Sequence, residues 1–229
     1  MWRRITSRPA RLLYLGILVI VIVPGIALRV EAALFERRVL KVVSALSSLR
    51  IGVTPKAEVI SRMAGIKIDE SSRGNSEGNS LVMGSRGVCD ADECFWIEVS
   101  SPMSYVWGLH VFGSVDSKTM FSVLNLWGFQ ARSLDAHVNL TSGKVSSLGY
   151  RLILSTAHAD IPGALIIKVS SRKNLTDWEL DHVADESPNY RVSHYFKWPA
   201  LSTNIDFTPD APTEVVSHAF DLKLQCVWS

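Results

Sequence analysis

Cys89 and Cys94 enclose Asp90, Asp92 and Glu93 in the run CDADEC, the one compact cluster of reactive side chains in the sequence. Two thiols at this spacing suit a small disulfide loop in an oxidising compartment. Three carboxylates in one turn suit a hard cation, although the run lacks the length and ligand spacing of a calcium loop. Unbridged, the pair would be plain thiols. Zinc needs a second pair of ligands, and no second C-x-x-C or H-x₃-H occurs, so neither a metal nor a cofactor is expected. The third cysteine, Cys226, alternates with core-like neighbours and reads as a small buried hydrophobe. His110, His137, His158, His182, His194 and His218 are scattered without any His-x-His or His–Cys pairing. Gly74-Asn75-Ser76-Glu77-Gly78 spells G-x-S-x-G, but nothing around it supplies the strand-to-helix turn that a serine nucleophile requires. No catalytic residue is assigned. Asn139 and Asn174 head N-x-T sequons, which matter if the host is eukaryotic and glycosylates.

These residues must be positioned by a chain that opens on a membrane signature. A basic tail, residues 1–11, precedes the uncharged apolar run LLYLGILVIVIVPGIAL at 12–28, bracketed by Arg11 and Arg29. At about 1.5 Å per residue the run spans roughly 25 Å, close to the bilayer's hydrocarbon thickness. It is longer than the apolar core of a cleaved signal peptide, so an uncleaved signal anchor is the first reading and a secreted, cleaved product the second. The short basic tail places the N-terminus in the cytoplasm and the main domain outside, periplasmic or extracellular. With 229 residues and a net charge of +2, the remainder can bury a substantial core. It carries no basic stripe for nucleic acid.

Residues 29–65 read as juxtamembrane helices. Phe35, Val39, Val42, Leu46 and Leu49 follow a four-three spacing on a helix over 32–49. The stripe has two uses: packing on the following sheet, or forming a homodimer seam. Thr54 then caps a short helix over 56–64, with Pro55 at its first position and Gly65 closing it. Residues 66–80 form a mobile polar loop, and 81–229 a β-rich domain. Strands are expected at 95–99, 107–112, 134–140, 145–154 and 165–169, with a hairpin turn at Gly143. A short helix is expected near 118–127, irregular chain at 174–189, an edge strand at 190–198, loop at 202–212 and a final strand at 219–228. Helices followed by strands predict an α+β fold with a mostly antiparallel sheet behind an N-terminal transmembrane helix.

The tail and apolar run, then LKVVSALSSLRIGVTPKAEVISRM, then VCDADECFWIEVS, and near the end TPDAPTEVVSHAFDLKLQCVWS, resemble in that order an uncharacterised bacterial family of single-pass, membrane-anchored exported proteins. The resemblance implies the anchor, the exported side and the two-cysteine loop. It implies no activity. The functional expectation is a tethered extracytoplasmic binding or scaffold module with an unknown protein partner and the lipid bilayer as contacts. The alternative is a tethered hydrolase whose carboxylates, Asp90, Asp92 and Glu93 foremost, converge only in the fold.

Overall fold

The computed structural model describes residues 8–72, 89, 91–101, 132–156, 163–171, 183–187, 189–197 and 200–221; within the first helix it describes side chains at 12–16, 19, 23, 26, 27 and from 29 onward. That helix, α1, is a single element of 40 residues, Arg8–Ser47, about 60 Å long. The division expected at Arg29 is not a structural boundary. Pro24, Gly25 and Arg29 all lie inside the helix. Its halves differ in their surroundings. Leu12, Leu13, Tyr14, Leu15, Val19, Val23 and Ile26 are each more than half exposed. Phe35, Val39, Val42, Leu46 and, just past the helix, Leu49 are at most 3% exposed. The amphipathic stripe is thus occupied by the sheet, and a dimer through these five side chains requires α1 to leave it. Among the described residues no helix is long and apolar enough to cross a membrane.

After α1 the chain turns through Gly52, whose φ of +75° suits a residue without Cβ. Thr54 does not cap the next helix. Its buried Oγ1 accepts the Arg50 N–H at 2.8 Å, closing the turn behind it, and Pro55 stands at the N-cap of α2, Lys56–Arg62. The helix ends at Arg62 with Met63 at its C-cap, two residues short of the end expected at 64, and Gly65, at φ +73°, lies in the turn beyond it. Lys41 of α1 donates to the carbonyls of Ala64 and Gly65 at 3.2 and 3.4 Å, tying the two helices together.

Among the described residues eight strands follow: β1 Asp69–Ser72, β2 Glu93–Ser100, β3 Arg132–Thr141, β4 Lys144–Thr156, β5 Gly163–Ser171, β6 Val183–Ser187, β7 Tyr190–Lys197 and β8 Ala200–Phe207. They form one sheet in the order β1-β2-β3-β4-β5-β8-β7-β6. Every neighbouring pair is antiparallel except β5 and β8, which run parallel. The chain is therefore α+β with a mostly antiparallel sheet. A third helix, α3, spans Thr213–Phe220.

Several local expectations are corrected. The polar loop over 66–80 begins with a strand: β1 pairs with β2 through its backbone, which needs no apolar side chain. Irregular chain at 174–189 contains β6. The strand at 190–198 is not an edge, because β7 lies between β6 and β8. The loop at 202–212 contains most of β8. Ala219 and Phe220 end α3 rather than opening a strand. The expected elements at 107–112 and 118–127, the G-x-S-x-G motif, Asp90, Asn174, Cys226 and residues 222–229 lie outside the described residues.

Alternation along the strands sorts the sheet into two faces. Phe95, Ile97, Val138, Leu148, Tyr150, Val169 and Phe207 join the main core under α1 and α3. Phe220 of α3 reaches across it, its ring 5.6 Å from Tyr150 and 5.9 Å from Phe207. Side chains this deeply buried contribute about 1.5–3 kcal/mol each, which is what holds so short a helix in place.

Candidate functional site

Cys89 and Cys94 stand at disulfide distance, their Cα atoms 5.9 Å apart. Both are buried, and with Ala91 and Trp96 they make a small cluster separate from the main core. The pair fixes the chain where it enters β2. Of the carboxylates beside it, Asp92 and Glu93 go to different partners. Asp92 accepts the backbone N–H of Ser142 at 2.8 Å, bracing a hairpin turn in which Ser142 and Gly143 have φ of +54° and +72°. Two successive positive φ values are what a two-residue hairpin of this twist needs, and Ser142 adopts its own at a steric cost. Glu93 turns toward the helices, where Lys56 binds it and Glu70 at 2.7 Å each. Hydrogen bonds donated to Glu70 first and Glu93 second hold the Lys56 ammonium above its ordinary pKa, and its Nζ also lies 5.6 Å from the centre of the Phe95 ring. Among the described residues no group of three or more His, Cys, Asp or Glu is placed to hold a metal ion.

The sheet face turned away from the helices is polar. Its register aligns Trp96, His137, Gly149, Ser170, Asp206 and Arg191 in one row across six strands. His137 stacks obliquely with Trp96 at 5.8 Å. Its ring lies over Gly149, where a Cβ would sit 3.0 Å from His137 Cε1 and 2.5 Å from the Val169 carbonyl. Burial, aided by the Lys168 ammonium, pushes the His137 pKa down to about 4. The ring is therefore a neutral imidazole at ordinary pH. Ser170 donates to Asp206 at 2.6 Å, both buried, and Arg151 pairs with Asp135 at 3.0 Å in the next row. Asn139 is half-buried on this face and donates to Ser147 Oγ at 2.8 Å.

A third feature has no counterpart among the sequence expectations. Between α1 and α3 lies an open groove of about 700 Å³. From α1 it is lined by Leu40, Val43, Ser44 and Ser47, a face distinct from the stripe that meets the sheet. From α3 it is lined chiefly by Glu214, Ser217, His218 and Asp221, with Phe220 at its base. The His218 ring meets Tyr190 edge-on at 6.3 Å. The signal for α3 was in the sequence: Pro212 followed by Thr-Glu in a first turn, then Val216, Ala219 and Phe220 at helical spacing.

No protein-family model, curated protein or solved structure matches this chain.

Proposed function

We propose that this chain is a membrane-tethered binding module, held by the apolar end of α1 with its sheet domain on the far side of the bilayer from the basic N-terminal tail. The observation that carries the reading is the continuity of α1. One helix passes from a run of uncharged Leu, Ile and Val residues with its described side chains exposed to a stripe sealed under the sheet. Apolar surface of that extent is unfavourable in water and favourable in hydrocarbon. A helix that is half anchor and half core component also explains why no flexible linker separates the two. The disulfide-distance cysteines fit an exported domain, since such pairs persist outside reducing compartments. The resemblance to anchored exported proteins points the same way.

The test is carbonate extraction of membranes from cells expressing the full chain with a C-terminal tag. Wild type is expected in the pellet at its unprocessed size, with the tag cleaved by protease added outside the cytoplasmic membrane. Val19→Arg together with Val23→Arg, at about 2.5–3.5 kcal/mol for each charge placed in hydrocarbon, shifts the protein to the supernatant. Full-length wild type in the supernatant refutes the tether.

A further inference from the structure

We infer that the groove between α1 and α3 binds a linear diamine or polyamine, a ligand with two cationic ends and an apolar middle. The inference rests on the binding-module reading but not on the tether. Glu214 in the first turn of α3 and Asp221 at its C-cap are exposed and stand seven positions apart, so they share one face about 10 Å apart along the helix axis. Between them the groove has an apolar base made by Leu40, Val43 and Phe220. Hydroxyls of Ser44 and Ser217 line its walls, and among the described residues no lysine or arginine enters the lining. Each feature selects a part of the ligand. Two separated carboxylates select two ammonium groups at matching separation. The apolar base favours methylenes over water, at about 0.8 kcal/mol per CH₂ buried. Serine hydroxyls accept the ammonium hydrogens that the carboxylates do not take. An anionic ligand meets two like charges, and a monoamine satisfies only one end. Leu40 is 45% exposed, apolar surface that such a methylene chain would cover.

The experiment is isothermal titration of the full chain in nanodiscs of zwitterionic phosphatidylcholine, with empty discs subtracted, at pH 8. The probes are 1,7-diaminoheptane, whose nitrogens lie about as far apart as the two carboxylates, together with 1,4-diaminobutane, n-heptylamine and heptanoate. The seven-carbon diamine is expected to bind about tenfold more tightly than n-heptylamine or the four-carbon diamine, and heptanoate not to bind. Glu214→Gln and Asp221→Asn each reduce the seven-carbon diamine to the affinity of the monoamine. Ser44→Trp, at an exposed position that fills the groove, abolishes binding, and Ser217→Trp does the same from the opposite wall. Equal affinity for diamine and monoamine, no binding of either, or an affinity unmoved by Glu214→Gln and Asp221→Asn together overturns the inference. Such a failure leaves the tether where carbonate extraction puts it, because that assay does not involve the groove.

Discussion

Acid should destabilise this protein through a single imidazole, and the size of the effect follows from where His137 lies. Its pKa in the folded chain is about 4, against an ordinary 6.5, because burial over Gly149 disfavours the charged ring and Lys168 adds repulsion. Between those two values the unfolded chain takes up a proton that the folded chain refuses. Stability from this group is therefore complete above pH 6.5, declines as pH falls toward 4, and levels off below it. At about 1.4 kcal/mol per pH unit, the loss over the whole window is about 3.5 kcal/mol at most, and about 2.5 kcal/mol is expected by pH 4.5. The assay is urea unfolding of the full chain in neutral detergent at pH 7.5 and 4.5, for wild type and His137→Gln. Gln cannot take up the proton, so the variant should lose less stability on acidification by that amount. The paired Asp135 and Arg151 on the same face are common to both proteins and cancel in the difference. Parallel losses in the two proteins would refute the reasoning and place the imidazole in water.

Three other substitutions test separate parts of the fold. Gly149→Ala places a Cβ 2.5 Å from a backbone carbonyl that cannot move without breaking the sheet; where Gly→Ala ordinarily stabilises, a loss of about 2–3 kcal/mol is expected, seen as a fall in Tm of roughly 5–10 °C. Tyr150→Phe should be neutral or raise stability by up to about 1 kcal/mol in urea unfolding, because the buried phenol has no hydrogen-bond partner among the described residues and burial already raises its pKa. Replacing Cys89 and Cys94 together by Ser should cost about 2 kcal/mol, the closure entropy of so short a loop, with the loss matched by wild type unfolded in reductant.

The elements legible in the sequence are those whose side chains carry the period themselves. The stripe from Phe35 to Leu49 announces a helix packed on a sheet, and Leu134 to Leu154 announces a hairpin around Gly143, because in both cases apolar burial and backbone geometry coincide. The cysteine pair was legible from spacing. Elements held by their partners were not. β1 is Asp-Glu-Ser-Ser, a strand only because β2 offers its edge. In β8, Asn204 and Asp206 depress strand propensity, and its alternation becomes visible once β5 and β7 flank it. Phe220 alternates with Leu222 and Leu224 as a strand would, while also closing a helical pattern with Val216 and Ala219; packing against Tyr150 and Phe207 decides for the helix. The groove is a property of two helices distant in sequence, so no local pattern could reveal it. Asp92 and Glu93, adjacent in sequence, were read as one cluster, but the start of β2 sends them to opposite partners.

The single parallel pairing has a kinetic meaning. On one side of it β3, β4 and β5 follow one another through short connections; on the other, β6, β7 and β8 do the same. Each trio can zip up by neighbour-to-neighbour closure, whereas β5 and β8 meet only after the intervening chain has been brought back on itself, a slower search. Phe220 bridges that joint, with one edge against a ring from each trio. Helix α3, which follows β8, therefore spans the joint and ties the two trios together where they run parallel.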